Sequence, residues 1–161
     1  MRLASSLSLT IAETIVEAVL ATGRREQMKP LTVAVLDSGG RLVAMKSEDG
    51  SGLMRFDIAF GKAWGSLGMG LPSRTIRDYL SARPAFQNAL SVASEGRFIP
   101  VPGGVLIEDG EGRTIGAVGV SGDTSEKDEY CAILAIRDAG LAPLPADHDP
   151  DWQASSLSDR H

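Results

Sequence analysis

A run of regularly spaced glycines interrupts an otherwise strand-like segment in the last third of the chain. Gly116, Gly119 and Gly122 lie three residues apart among Ile, Ala and Val residues. Glycine loses more conformational freedom on folding than any other residue and packs no side chain, so it is costly inside a strand. It is used there when another part of the chain or a ligand approaches the backbone closely. The spacing therefore predicts either a helix that crosses the sheet here, which is the commoner arrangement, or a bound ligand.

Two pairs of strand-like segments are each separated by a short glycine-bearing turn. Thr32, Val33 and Val35 are β-branched residues typical of a strand, and a Ser-Gly-Gly turn follows at 38–40. Such turns join antiparallel strands, so both pairs are expected to be hairpins. An aspartate beside a turn, here Asp37, most often bonds the amides of that turn. The predicted strands are 31–37 with 41–46, and 105–108 with 114–120.

Apolar residues at helical spacing indicate helices in most of the remaining chain. Thr10 and Glu13 have the spacing of a capping box for the first helix, and Ser73 can cap the third. Hairpins with helices packed against them predict an α/β (α+β) protein, in which helices flank an antiparallel sheet of about five strands. The predicted helices are 10–25, 53–67, 74–81, 84–93 and a final helix that starts after Thr124 or Ser125 and ends at Gly140.

The helix predicted over 53–67 carries one lysine of interest, Lys62. This residue falls off the apolar stripe of its helix. A surface position is the default, because lysine is rarely buried. The functional interpretation is a cation at the edge of a pocket. The apolar stripe itself consists of Phe56, Ala59, Phe60, Ala63, Trp64 and Leu67.

The length of 161 residues fits one domain, which is expected over 1–140. A net charge of −5 disfavours nucleic acid as a partner. No apolar run reaches the roughly 20 residues that a membrane helix needs, and no secretory signal is visible, so the cytoplasm is the expected compartment. Residues 141–161 are polar and rich in Pro and Asp, so they are expected to form a loosely ordered tail, with Trp152 as a residue that docks.

The chain lacks the residue patterns of several common sites. It has no P-loop, dinucleotide fingerprint or nucleophile elbow, and its single cysteine, Cys131, cannot form an internal disulfide. The acidic residues Glu126, Asp128 and Glu129 suit the positive amino end of the final helix. Both histidines, His148 and His161, lie in the tail. No metal site is therefore predicted.

Four segments together resemble the GlcG/HbpS family of small α/β proteins. They read VAVLDSGGRLVAM at 33–45, DIAFGKAWGS at 57–66, PVPGGVLI at 100–107 and IGAVGVSGDTSEKDEYCA at 115–132. The resemblance extends from about residue 8 to 140. It implies an antiparallel sheet flanked by helices, resembling profilin, and self-association into dimers or larger rings. The best-described members of the family bind or degrade haem, which makes haem a possible cofactor. Related domains accompany cobalamin-handling enzymes, and others are linked to glycolate metabolism.

The resemblance also implies a set of site residues. Two departures are visible: Asp123 stands where a glycine is usual, and the matched region contains no histidine to hold haem iron. The implied ligand-binding residues are Gly103, Gly104, Ser121, Gly122, Asp123, Thr124 and Asp128, with Lys62, Glu129 and Asp37 as the candidate catalytic residues.

Two functions follow as hypotheses. The first is an oligomeric protein that binds haem, another tetrapyrrole or a small organic ligand. The second is a cofactor-independent lyase or isomerase acting on a small oxygenated anion. In it, Lys62 holds the anion and Glu129, kept ionised by the helix amino end, is the general base. Asp37 or Asp128 is the other candidate for moving the proton. A third possibility is that Lys62 and Glu129 simply pair to join two helices.

Overall fold

A computed structural model describes residues 3–157 of the chain. Among these residues, no helix combines the length and the apolar composition needed to cross a membrane. The elements, in chain order, are α1 Leu9–Arg25, β1 Thr32–Asp37, β2 Leu42–Ser47, α2 Arg55–Met69, α3 Ser73–Leu80, α4 Pro84–Ala93, β3 Gly104–Glu108, β4 Thr114–Ser121, α5 Ser125–Asp138, β5 Ala142–Leu144 and a short 3-10 helix at Trp152–Ala154.

The strands form one five-stranded sheet in the order β2-β1-β4-β3-β5. Every neighbouring pair is antiparallel, which confirms the expected fold class. In the pairing of β1 with β4, Thr32 lies opposite Ser121 and Asp37 lies opposite Gly116. Thr32 therefore lies beside the end of β4 that leads to α5, whereas Asp37 lies beside the other end of β4.

Helices cover both faces of the sheet. On one face, α1 and α5 pack over a large apolar core that includes Val33, Val35 and Val118. On the other face, α2 packs over a smaller core that includes Leu36 and Ala117. The alternation of side chains along each strand divides the residues between these two cores.

Helix α2 crosses the sheet where glycines stand on β3 and β4. A Cβ at Gly119 would overlap the carbonyl oxygen of Ala59, and one at Gly104 would overlap the carbonyl oxygen of Lys62. The helix backbone therefore rests directly on the sheet backbone. This confirms that a crossing helix, and not a ligand, accounts for Gly119.

Two predicted helix caps do not form. Helix α1 begins at Leu9, and the Ser8 hydroxyl caps it by accepting a hydrogen bond from the Ile11 amide at 3.2 Å. The chain enters this helix before Thr10, so the predicted capping box does not form. Ser73 does not cap α3 either: its hydroxyl donates to the Gly104 carbonyl at 3.1 Å and accepts from the Gly104 amide at 2.8 Å.

The segment after α5 differs from the loose tail expected from residue 141. Its first residues form β5, which pairs with β3 at the edge of the sheet. The Trp152 side chain is buried and stacks on Tyr130 with 3.7 Å between ring centroids. Burial of a large aromatic side chain holds this segment against α5. Residues 158–161, and with them His161, lie outside the described residues.

Candidate functional site

Lys62 lies inside the protein, between α2 and the ends of two strands. Its side chain is only 2% exposed. The ammonium donates to the Val120 carbonyl at 2.9 Å and to Asp128 Oδ2 at 2.8 Å. The default expectation of a surface lysine is therefore wrong. Buried ammonium groups need partners of this kind, because desolvation is otherwise prohibitive.

The bend at Gly103 makes room for this ammonium. Gly103 has a φ of +114°, and a Cβ there would lie 2.8 Å from Lys62 Nζ. Only glycine satisfies both the backbone angle and the limited space. The Gly103 backbone and the Lys62 ammonium therefore lie side by side, with no cavity between them.

Asp128 completes a closed polar cluster with Lys62. Its second oxygen accepts a hydrogen bond from the Asp123 amide at 3.2 Å. Burial raises the pKa of Asp128, while Lys62 and the Asp123 amide act in the opposite direction. The Asp128 side chain is 1% exposed. A substrate therefore has no open approach to this ion pair.

The bend that joins β4 to α5 is held by hydrogen bonds within the protein. Ser121 accepts a hydrogen bond from Arg55 Nη1 at 3.2 Å, and Thr124 caps α5 by accepting from the Lys127 amide at 3.4 Å. A Cβ at Gly122 would overlap the Pro30 carbonyl oxygen. These three predicted ligand-binding residues thus have roles in local structure.

Asp123 connects the β4–α5 bend to the segment before β1. It accepts hydrogen bonds from the Lys29 amide at 3.0 Å and the Thr124 amide at 2.8 Å. Lys127 Nζ lies 3.3 Å away. Burial works against ionisation of Asp123, but the hydrogen bonds and Lys127 outweigh it and lower the pKa. The Asp123 carboxylate therefore stabilises the fold through the Lys29 and Thr124 amides and the Lys127 ammonium.

Glu129 faces a different set of partners. Its side chain is buried, and neither carboxylate oxygen accepts a hydrogen bond. Arg74 Nη1 forms an ion pair with it at 3.3 Å without the alignment of a hydrogen bond. Lys62 bonds Asp128 instead, so the contacts that the structure shows for these two residues do not join Lys62 to Glu129.

Burial raises the pKa of Glu129 to about 7, with Arg74 and Arg77 opposing the shift. The expectation that the helix amino end keeps this group ionised therefore fails. Glu129 is the fifth residue of α5, and the helix dipole acts mainly within the first turn. Desolvation is the larger effect at this position.

Asp37 lies at the opposite end of the sheet. Its Oδ1 accepts hydrogen bonds from the amides of Gly39 and Arg41, at 2.9 and 3.0 Å, as expected for an aspartate beside a turn. It pairs with Gly116, which is four residues along β4 from the Val120 carbonyl that Lys62 contacts. At about 3.3 Å per residue, the separation along the strand is roughly 13 Å. The structure does not bring Asp37 to Lys62.

Open space occurs elsewhere in the molecule. Five cavities on the described residues have linings that include neither Lys62 nor Glu129. The largest, about 720 Å³, is a groove between α1 and β2. Sequence reasoning missed it, although 42–45 is an unbroken apolar run in a strand, which signals covering on both faces. We call this cavity the α1–β2 groove; its lining includes Leu9, Glu13, Glu17, Val43, Met45 and Lys46.

Metal-binding side chains are not clustered in the described part of the chain. No group of three or more His, Cys, Asp and Glu side chains within residues 3–157 is arranged to hold a metal ion. His148 packs edge-on against Tyr130, with 4.9 Å between ring centroids. The Cys131 thiol is buried beside the Met28 sulfur at 3.4 Å, and burial raises its pKa.

Comparison with known proteins gives a family match over most of the chain. The model of the family described as haem degrading protein HbpS-like matches residues 7–137. A curated relative, an uncharacterized 15.0 kDa protein in the dhaT-dhaS intergenic region of Citrobacter freundii, is 27% identical over 132 residues, which is 82% of this chain and 91% of the relative.

Solved structures share the fold. The Klebsiella pneumoniae protein ORFY is 25% identical, with a TM-score of 0.76 over 87% of this chain and 94% of that one. A PduOC–haem complex has a TM-score of 0.76 at 23% identity over 84% and 96% of the two chains. Streptomyces reticuli HbpS, as a double mutant, has a TM-score of 0.71 at 20% identity over 86% and 90%.

Proposed function

The chain belongs to the HbpS-like family, and from that membership we propose that it is a small-ligand-binding protein whose ligand is a tetrapyrrole seated in the α1–β2 groove. The groove volume of about 720 Å³ carries the proposal. Ligand pockets commonly enclose about 300–1,000 Å³. A haem complex among the structures with the same fold supports a tetrapyrrole as the class to test first.

The lining of the α1–β2 groove suits the flat face of a porphyrin. Leu9 is 55% exposed, so it offers apolar surface that the fold itself leaves uncovered. Val43 lines the same groove. Covering such surface is favourable by about 25 cal/mol per Å².

The polar groups of the groove are less suited to holding iron. The groove offers the Glu13 and Glu17 carboxylates and the Lys46 ammonium, and Lys46 pairs with Glu17. His148, the histidine among residues 3–157, packs on Tyr130 instead. These residues fit a porphyrin held by its ring face and by a propionate on Lys46. They supply no imidazole for the metal.

This reasoning gives a direct test by absorbance titration with haemin and with metal-free protoporphyrin. Both are expected to bind with dissociation constants within about tenfold of each other, because the ring and not the metal makes the contacts. Val43→Glu places a charge in the groove and should abolish binding of both, whereas Val92→Glu, at a position that is 80% exposed elsewhere, should leave it unchanged. Absence of binding by either porphyrin would refute the proposal.

Self-association is part of the same proposal. Strand β2 is an edge of the sheet and leaves Leu42 and Met45 exposed. An uncovered apolar edge strand is a surface on which another strand can pair. Size-exclusion chromatography with light scattering is expected to give a mass of two or more times the 17.0 kDa of one chain. A mass equal to that of one chain would exclude self-association under those conditions.

A second candidate function is cofactor-independent proton transfer, and Glu129 is the observation that favours it. A buried carboxyl group whose pKa is raised to about 7 can accept and release a proton near neutral pH. The positive charges of Arg74 and Arg77 act on this carboxyl group and favour its ionised form. In this candidate function Glu129 would be the general base and Arg74, 3.3 Å from it, the cation, while Lys62 stays bonded to Asp128.

A further inference from the structure

A second cavity lies between α2 and α4, on the other side of the molecule's sheet from α1. We call it the Trp64 pocket. Its volume is about 170 Å³, and its walls include Trp64, Met69, Leu90 and Phe98. An apolar cavity of about 150 Å³ in another protein stays dry and binds benzene. The Trp64 pocket therefore has the size and the lining for one six-membered ring.

Gly68 has no structural reason to be glycine. Its φ lies outside the left-handed region, and a Cβ at this position would meet nothing within 4 Å. By contrast, a Cβ at Gly65 in the same helix would lie 2.9 Å from the Phe98 ring. Glycine inside a helix costs about 1 kcal/mol relative to alanine. At Gly68 this cost brings no closer packing, and Gly68 lines the Trp64 pocket.

A positive charge lies against two residues of the pocket wall, Trp64 and Ser94. The Arg97 guanidinium lies 4.6 Å from the centroid of the Trp64 ring and is 47% exposed. Its Nε donates to the Ser94 carbonyl, and its only ion pair among the described residues, at 3.7 Å, is with Glu95, which is 83% exposed. A loose surface pair of this kind contributes little and is easily exchanged for another anion.

The polar group inside the pocket is already satisfied. The Ser94 hydroxyl donates to the Ser91 carbonyl at 3.1 Å and accepts from the Phe98 amide at 3.2 Å. The part of a ligand inside the pocket is therefore apolar. A negatively charged group on such a ligand would pair with Arg97, which contacts Trp64 and Ser94 of the wall.

We propose that the Trp64 pocket binds a monocyclic aromatic carboxylate, with the ring among Trp64, Leu90 and Phe98 and the carboxylate on Arg97. Aromatic rings gain from packing against one another beyond the area they bury. A guanidinium is the side chain best matched to a carboxylate. This site shares no lining residue with the α1–β2 groove. Binding at the Trp64 pocket can therefore be tested independently of the proposed function.

Tryptophan fluorescence can test this binding, because the chain has two tryptophans. In a Trp152→Phe background the emission comes from Trp64 alone. Titration with benzoate is expected to change it saturably at millimolar concentrations, and benzamide, the neutral isostere, should bind at least tenfold more weakly. No saturable change with benzoate would overturn the proposal. Equal binding of benzamide would overturn the assignment of Arg97.

Three variants locate the site. Gly68→Leu fills the pocket and should abolish the benzoate response, while Gly110→Leu, where a Cβ also meets nothing within 4 Å, should leave it unchanged. Arg97→Gln should reduce benzoate binding to the level of benzamide. Far-ultraviolet circular dichroism checks that each variant folds, and Gly68→Met replaces Gly68→Leu if the latter does not. Unchanged binding by a folded Gly68 variant would contradict the placement.

Discussion

Lys62 is among the largest side chains that the fold encloses completely, and it is charged. Removal of one partner of a buried ion pair leaves the other charge without compensation, which costs about 3–5 kcal/mol. Replacement of both partners by apolar residues removes both desolvation penalties. The Lys62–Asp128 pair is therefore expected to matter for folding before it matters for any chemistry.

Accordingly, Lys62→Met should lower the free energy of unfolding by about 3–5 kcal/mol in urea denaturation. The double variant Lys62→Met with Asp128→Leu should recover much of that loss. Lys46→Met, which removes an exposed pair with Glu17, is the control and should cost less than about 1 kcal/mol. A loss below about 1 kcal/mol for Lys62→Met would contradict the structural role of the pair.

Glu129 makes a prediction about pH. Its pKa is about 7 in the folded chain against 4.5 for an ordinary glutamate. Between these values the folded chain holds a proton that the unfolded chain has released, so stability falls as the pH rises from about 4.5 to 7. The full decline is up to about 3 kcal/mol. The charged groups that face Glu129 are Arg74, Arg77, Asp149 and Glu126.

Urea denaturation of the wild type and of Glu129→Gln between pH 5 and 8 measures this decline. The two proteins should differ little at pH 5, and Glu129→Gln should be the more stable at pH 8. Asp128 also has a raised pKa, but it is present in both proteins and cancels in the comparison. Glu95→Gln, at an exposed position, is the control. Parallel pH profiles for wild type and Glu129→Gln would show that Glu129 does not titrate in this range.

Helix α2 owes its position to the strand glycines beneath it. A Cβ at Gly119 would overlap the Ala59 carbonyl and lie 3.1 Å from the Ala63 Cβ. Gly119→Ala should therefore lower the free energy of unfolding by about 1–3 kcal/mol or more, measured by thermal or urea denaturation. A Cβ at Gly110 would meet no neighbour, so Gly110→Ala should change the free energy of unfolding by less than about 0.5 kcal/mol. A neutral Gly119→Ala would mean that α2 does not rest on the sheet there.

The elements could be predicted from sequence because their signals are local. Each signal depends on a few neighbouring residues: the turns at 38–40 and 109–112, and the apolar spacing in α1 and α5. The starts of helices were less predictable, because Ser8 and Thr10 are both good caps and the chain uses Ser8. Ser73 has the composition of a cap but bonds Gly104, which is 31 residues away in sequence.

The site was harder to predict for the same reason. The residues near Lys62 in sequence do not show that its ammonium bonds Val120 and Asp128, or that Gly103 leaves space for it. Lys62, Gly103 and Asp128, which the resemblance implied as site residues, do lie against one another. The resemblance could not show that they meet without a cavity between them, because that depends on how closely α2 approaches the sheet.

In the molecule as a whole, the residues that hold the helices to the sheet lie apart from the residues that line the cavities. The glycine bends and buried charges hold α2 and α5 to the sheet, whereas open space lies at the α1–β2 groove and the Trp64 pocket. Residues that stabilise a fold and residues that bind a ligand need not coincide. In this account the proposed ligand site is therefore at the β2 edge of the sheet, away from the bends that the family motifs mark.

Amide chemical shifts measured by NMR during titration with metal-free protoporphyrin test this most directly. We expect the shifts to change along α1 and β2, around Leu9, Glu13 and Met45, and to stay constant at Gly103 and Ser121. Changes centred on Gly103, Ser121 and Lys62, with α1 and β2 unaffected, would contradict it.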